Sequence, residues 1–252
     1  MKKFLLYFIH IILLLIGLSA SYYRSLSDTS TSELIVYLAI IVLCALGFVY
    51  SMMLMKKLGG RKSIMGKSFL YLGLAFFFQA ITIVYDYLFF SLADYSPVST
   101  LLLAIMNLCW AISIYNFFLI TGVSQKIRQA WKTILIIGIV ICCSLAAYGN
   151  LPVSYADEFL SMAILLVNVI LIFESALLLL YSSRFRGGAL LMPVLLLCFG
   201  IVFQLVGDLL NRGVFQVGTI TYIADDAFYC FSWFLLSMSP TILLASSKEN
   251  LE

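Results

Sequence analysis

Charge is scarce in this sequence, in which only 11% of the 252 residues are charged and 63% are hydrophobic. An ordinary soluble domain carries about 25% charged residues. With a mean hydropathy of +1.10, the chain cannot cover a water-facing surface, and lipid is the solvent that suits it. This composition excludes an ordinary soluble globular protein. The net charge of +3 is too small to indicate a nucleic-acid partner.

Residues and motifs for common chemistry are also scarce. The single histidine, His10, has no recognisable partners for a Ser-His-Asp triad and cannot form a zinc site by itself. Walker A, GxGxxG, HExxH and CxxC motifs are absent, and no apolar run contains a lysine for a retinal-type Schiff base. We therefore expect no bound cofactor. The six cysteines are expected to be apolar packing residues rather than disulfides or metal ligands: Cys44, Cys109, Cys142, Cys143, Cys198 and Cys230.

Long apolar runs are what the sequence has instead. A helix needs about 20 apolar residues to cross the hydrocarbon core, and eight segments reach or approach that length. Backbone groups in lipid must be hydrogen-bonded within the chain, so these segments are predicted to be helices. The predicted spans are about 4–22, 34–55, 68–90, 99–120, 133–148, 159–181, 189–210 and 227–245. The first is longer than a usual signal-peptide core, and we interpret it as a retained span.

The distribution of cations predicts the orientation of these spans. Positive residues favour the cytoplasmic side, and 13 of the 15 lysines and arginines lie at one set of span ends. The opposite set carries only Arg24 and Arg212. We therefore predict an all-α, eight-span integral membrane protein of the cell membrane with both termini in the cytoplasm. The 13 cytoplasmic cations are Lys2, Lys3, Lys56, Lys57, Arg61, Lys62, Lys67, Lys126, Arg128, Lys132, Arg184, Arg186 and Lys248.

Matching residues in the two halves indicate an internal duplication. The matched pairs are Gly59-Gly60 with Gly187-Gly188, Met65 with Met192, Asp86 with Asp208, and Trp110 with Trp233. Four spans in each copy give the copies the same orientation, as in parallel repeats. We predict repeat A over 1–125, repeat B over 126–246, and a cytoplasmic tail over 247–252.

Polar side chains at membrane depth are costly and are functional candidates by default. Asp86 lies about 18 residues into the third span, which is about 27 Å from its cytoplasmic start and close to the outer interface. Asp208 has a similar depth in the seventh span. The acids either form a shallow pocket for a cation or polar ligand, or simply reach water, with Arg212 pairing Asp208 at i,i+4. The ligand-binding candidates are Gln79, Asp86, Gln204, Asp208, Arg212, Asp225 and Asp226.

Two other polar residues lie within apolar runs. Glu174 lies about two turns from the cytoplasmic end of the sixth span, where it either pairs with a basic loop residue such as Arg184 or faces the bundle. A structural role is favoured over proton relay. His10 in the first span is expected to pack and to form hydrogen bonds. Whether the outer acids bind a metal stays open.

Two stretches carry a resemblance to a known class of membrane protein. They are FGIVFQLVGDLL at 199–210 and IADDAFYCFSW at 223–233. Together they resemble a GDLL and ADxFY pattern in multi-span input modules of bacterial and archaeal histidine kinases and diguanylate cyclases. The resemblance implies a sensor whose last span continues into a cytoplasmic coiled coil and an output domain.

A second resemblance implies an enzyme. The stretch GDLLNRGVF at 207–215, with a matching aspartate in the other half, is similar to lysoplasmalogenase-like membrane hydrolases. On that interpretation Asp86 and Asp208 are paired carboxylates that activate water.

The sequence therefore favours a non-enzymatic sensor or signal-input module. A ligand near the outer face changes helix packing, and the eighth span relays the change to the cytoplasm. A lipid hydrolase and a small-solute transporter are the alternatives. The candidate partners are membrane lipids, a cytoplasmic output domain or kinase, and a second copy of the chain.

Overall fold

A computed structural model describes residues 2–27, 30–89, 97–120, 167–168, 170–180, 188–211 and 220–249. All regular elements in these ranges are helical. In chain order they are α1 (Lys2–Ser27), α2 (Ser30–Lys57), a short 3₁₀ helix (Gly60–Lys62), α3 (Ile64–Phe89), α4 (Pro97–Ile120), α5 (Ile170–Leu180), α6 (Leu191–Asn211) and α7 (Ile220–Glu249). Helices α5, α6 and α7 correspond to the predicted sixth, seventh and eighth spans.

Five of these helices are long and apolar enough to cross a membrane, which indicates a multi-pass membrane protein as predicted. The apolar segments are Phe4–Arg24, Thr31–Lys57, Ile64–Phe89, Val98–Ile120 and Asp226–Ser246. Shorter apolar helical segments, Ile170–Leu180 and Leu191–Gly207, lie in α5 and α6. The predicted fifth span, 133–148, lies outside the described residues. The count of eight spans therefore stays a prediction.

The chain divides into two compact units. Unit 1 consists of Met1–Leu54 and Phe185–Glu252, so it contains α1, most of α2, α6 and α7. Unit 2 is Met55–Arg184 and contains α3, α4 and α5. These units describe packing, whereas repeats A and B describe similarity between sequence halves. The predicted duplication therefore stays a prediction, and packing does not follow the 1–125 and 126–246 halves.

In unit 1, helix α7 packs against both α6 and α1, and glycines allow the close approach. A Cβ atom on Gly17 of α1 would lie 2.7 Å from the Sγ of Cys230, and one on Gly200 of α6 would lie 2.6 Å from the Cγ of Leu236. Helices in lipid associate through such close van der Waals packing because apolar burial gives them little additional driving force. Small residues therefore fix where α7 crosses its neighbours.

In unit 2, helices α3 and α4 pack antiparallel. Ser113 of α4 donates a hydrogen bond to the carbonyl of Ser68 at 2.9 Å, and the rings of Phe69 and Phe117 meet edge to face with centroids 5.6 Å apart. All four residues are buried. The contacts join the beginning of α3 to the later part of α4.

A tight turn precedes α3. Gly59 and Gly60 have φ values of 93° and 64°, which L side chains rarely adopt. Ser63 then caps α3, because its Oγ accepts a hydrogen bond from the backbone N–H of Gly66 at 2.8 Å. A Cβ atom on Gly66 would collide with the Gly60 carbonyl, so the turn needs glycine on both sides.

Candidate functional site

Three charged residues join three helices of unit 1. We call Arg24, Glu33 and Asp226 the Arg24 cluster. One guanidinium nitrogen of Arg24 donates to both carboxylate oxygens of Asp226, at 3.2 and 3.1 Å. The other donates to Glu33 at 3.0 Å. The cluster links the last turn of α1, the first turn of α2 and the early part of α7.

The three residues of the cluster come together through the short α1–α2 connection and the packing of α7. Only two residues, 28 and 29, separate α1 from α2, so Arg24 and Glu33 lie close in sequence. Asp226 is 202 residues from Arg24 and arrives through the packing of α7 against α1. Contact at Gly17 and Cys230, one helical turn beyond Asp226 on α7, positions the carboxylate beside the guanidinium.

The cluster is partly shielded from solvent. Side-chain exposure is 26% for Arg24, 22% for Glu33 and 11% for Asp226. Fully exposed ion pairs contribute about 0.2–1 kcal/mol, whereas breaking a buried pair costs about 3–5 kcal/mol. This cluster lies between those limits. Two acids share one cation, so the three residues of the Arg24 cluster together carry one net negative charge when all are ionised.

The candidate Gln204 also contacts α7. Its side-chain oxygen accepts a hydrogen bond from Ser232 at 3.1 Å, and both residues are buried. Ser232 lies six residues, or about 9 Å along the helix, from Asp226. Two of the predicted candidates, Gln204 and Asp226, are thus held on neighbouring helices of one unit.

Three other candidates cannot be placed as side chains. Asp208 lies on α6 and Asp225 on α7, but their side chains are outside the described part of the structure, as is all of Arg212. The predicted Asp208–Arg212 pairing therefore stays a prediction.

Unit 2 contains the remaining acidic candidate near a span end. Asp86 of α3 forms a hydrogen bond with Ser99 of α4, while Gln79 lies buried on the same helix. The Asp86–Asp208 pair that a hydrolase requires lies within neither unit alone. Convergence of all the candidates into one pocket stays a prediction.

Glu174 of α5 is the most deeply buried acid among the described residues, with 1% of the residue exposed. Neither carboxylate oxygen has a hydrogen-bond partner among these residues. The burial of Glu174 is compatible with a position that faces the bundle, and pairing with a basic loop residue stays a prediction. Arg184, the partner in the other alternative, lies outside the described residues. Close by on the chain, Asn168 accepts a hydrogen bond from Asn107 of α4 at 2.7 Å.

His10 is fully buried near the other end of α1. Its Nδ1 donates to the carbonyl of Leu6 at 2.8 Å, because a carbonyl can only accept. Its Nε2 lies 3.4 Å from the hydroxyl of Thr241 on α7, and its ring stacks on Tyr50 of α2. These contacts suit the packing and hydrogen-bonding role expected for His10. They also join the same three helices as the Arg24 cluster.

The four described cysteines, Cys44, Cys109, Cys198 and Cys230, are free and buried, as packing residues should be. Cys142 and Cys143 lie outside the described residues. Among the described residues, no group of three or more potential ligands is placed to hold a metal ion.

Arg24 is not among the site residues that the sequence predicts. One signal for it was present, because Arg24 is one of only two cations at span ends that are otherwise acidic. A lone cation among acids at an interface is a candidate for pairing. The sequence does not predict that Asp226 is its partner, since that contact depends on how α7 packs.

Compared with known proteins, the chain matches no family model, no curated protein and no solved structure. The fold indicates a multi-pass helical membrane protein, and an ion-paired cluster lies at one end of unit 1.

Proposed function

We propose that the protein is a membrane-embedded sensor or signal-input module. In this proposal a ligand near the outer face alters the packing of unit 1, and α7 carries the change to the cytoplasm. The single observation that carries the proposal is the Arg24 cluster, in which three hydrogen bonds from one guanidinium hold α1, α2 and α7 together.

The predicted topology gives the cluster its place in the mechanism. With both termini in the cytoplasm, Arg24, Glu33 and Asp226 lie at the outer ends of their helices. A ligand that binds one of these charges competes with the contacts between helices. Such a ligand shifts the packing only if it binds the open arrangement more tightly than the closed one. A 100-fold preference corresponds to about 2.7 kcal/mol, a magnitude that a partly buried ion-pair cluster can supply.

Helix α7 has the contacts that a relay needs. It meets α1 at three levels: at Asp226, at Cys230 against Gly17, and at Thr241 against His10. Because the contacts run along the length of both helices, a displacement at one end is transmitted to the next contact. The last contact lies near the predicted cytoplasmic end.

A proline interrupts the backbone hydrogen bonds of α7. Pro240 lies inside α7 and has no N–H for the carbonyl of Leu236, so the helix loses one backbone hydrogen bond there. Beside it, the hydroxyl of Ser239 donates a hydrogen bond to the carbonyl of Pro193 on α6 at 2.8 Å. Proline sites are where long helices kink, so this section is suited to a change of helix direction.

The test measures motion at the end remote from the cluster. Spin labels at positions 3 and 248 of the full chain in lipid nanodiscs report the distance between the cytoplasmic ends of α1 and α7. We expect Arg24→Gln to shift or broaden that distance distribution. Arg61→Gln, which removes an exposed cation from the turn before α3, is the matched control and should leave it unchanged.

Glu33→Gln keeps the experiment informative should Arg24→Gln prevent folding, because it weakens only one of the three hydrogen bonds. A shift from either cluster variant supports the relay. Distributions identical to the unsubstituted protein for both folded variants would contradict it. A functional readout comes from fusing the chain to the cytoplasmic part of a histidine kinase, whose autophosphorylation should change with Arg24→Gln and not with Arg61→Gln.

A further inference from the structure

A groove of about 730 Å³ runs between α1 and α2 in unit 1. Helix α1 lines it with one face, through residues a turn apart from Ile12 to Tyr23, and α2 contributes Thr31, Ser32 and Ile35. The groove extends from the middle of α1 towards the Arg24 cluster. Tyr23 directly precedes Arg24, and Ser32 directly precedes Glu33.

The chemistry of the groove changes along its length. Ile12, Leu15 and Ile16 make the end nearer the middle of α1 apolar. Ser19, Thr31, Ser32 and Tyr23, which carry hydroxyl groups, line the end nearer the cluster. An apolar groove that becomes polar at one end suits an amphiphile, which has an apolar tail and a polar headgroup.

The dimensions suit a lipid chain rather than a compact solute. From Ile12 to Tyr23 the helix advances 11 residues, or about 16 Å. This is about half of a hydrocarbon core of about 30 Å, which is the depth of one leaflet. The apolar lining is accessible from outside the protein, since Leu15 and Ile16 are exposed. On the surface of a membrane-spanning helix, such a groove is in contact with lipid acyl chains.

The charge of the Arg24 cluster indicates which lipid headgroup the groove favours. The cluster carries two acids and one cation, and 22% of the Glu33 side chain is exposed. A positively charged head is attracted to this net negative charge, whereas a purely anionic head is repelled. The ammonium of a phosphocholine or phosphoethanolamine head is complementary to the partly exposed carboxylate of Glu33.

We propose that the groove between α1 and α2 binds one acyl chain of an outer-leaflet amphiphile with an ammonium headgroup, and that Glu33 contacts the ammonium. Its role as a signal rests on the proposed sensor function, while binding itself does not. Bound in this way, the ammonium competes with Arg24 for Glu33. The ligand thereby reaches one of the contacts that hold α1 to α2.

Native mass spectrometry of the full chain tests the binding. Protein from nanodiscs with equal amounts of phosphatidylcholine and phosphatidylglycerol is released gently, and the retained lipid is identified. We expect preferential retention of phosphatidylcholine. Ser19→Phe fills the groove and should reduce that retention about tenfold, a loss equivalent to about 1.4 kcal/mol. Glu33→Gln should abolish the headgroup preference while leaving chain binding.

Ala45→Phe is the matched control, because Ala45 is a small exposed residue of α2 outside the groove. It should retain phosphatidylcholine like the unsubstituted protein. Equal retention of both lipids by the unsubstituted protein would overturn the proposal, as would full retention by Ser19→Phe. A dimer that Ser19→Phe dissociates, with no lipid retained, would assign the groove to a second copy and also overturn it.

The two proposals fail separately. If lipid retention shows no preference but Arg24→Gln still changes the distance between positions 3 and 248, the sensor proposal stands and the ligand class is wrong. If the lipid result holds and that distance does not respond, the groove is a lipid site in a protein that is not a sensor of this design.

Discussion

Replacing Glu174 with leucine should stabilise the protein. The carboxyl group is 1% exposed and neither oxygen has a partner among the described residues. A buried polar group without a hydrogen bond costs about 1–3 kcal/mol. Leucine has a similar size and no polar atom, so Glu174→Leu relieves that cost without leaving a large cavity.

The expected gain is about 1–2 kcal/mol, below the upper end of that range. Apolar burial adds little in lipid, and the unfolded chain within a membrane also finds partners for its polar groups. Glu174→Gln is the comparison variant. Its amide is also polar and would also lack partners, so its stability should stay within about 0.5 kcal/mol of the unsubstituted protein.

Steric-trap unfolding in bicelles measures these differences without removing the bilayer environment. Asn107→Leu is a second comparison, because it removes a polar side chain of α4 that does have a partner, Asn168 at 2.7 Å. That variant should be less stable by about 1–3 kcal/mol. A comparable loss of stability in Glu174→Leu would refute the reasoning, since it would show that the carboxyl group has a stabilising partner.

Three further predictions concern other contacts. A double-mutant cycle of Arg24→Gln and Asp226→Asn should give a coupling energy of about 1–3 kcal/mol by the same unfolding assay, and a value near zero would contradict a cohesive cluster. Gly17→Ala should destabilise by about 1–3 kcal/mol, because its Cβ meets Cys230, and Cys230→Ala should restore most of that loss. For the hydrolase alternative, purified protein should show no lysolipid cleavage above a no-protein blank; cleavage abolished by Asp86→Asn would instead support the hydrolase.

The positions of the described spans could be predicted because each depends on a local property. A run of apolar residues long enough to cross a bilayer predicts α1 over about 4–22, and the helix extends over Lys2–Ser27. The ends differ by several residues because polar residues continue the helix beyond the hydrocarbon core, where hydropathy carries no signal. α7 shows the same difference, with 227–245 predicted and Ile220–Glu249 observed.

The site was harder to predict because its contacts are not local. The charge and position of Asp226 make it a candidate, but its partner lies 202 residues away, and their contact depends on how α7 crosses α1. Glu174 shows a similar limit. Apolar neighbours on both sides along the sequence do not reveal which side of a helix faces other helices, so the pattern is compatible both with burial in the bundle and with pairing to a basic loop residue such as Arg184.

The composition of the two units has a consequence for biosynthesis. Unit 2 is one continuous segment, so its helices enter the bilayer in succession and can assemble as they arrive. Unit 1 needs both the first and the last parts of the chain. During synthesis Arg24 therefore has no contact with Asp226 until α7 is inserted. A chain truncated before α7 leaves the surface of α1 that packs against α7 uncovered, and quality-control proteases can recognise such a surface.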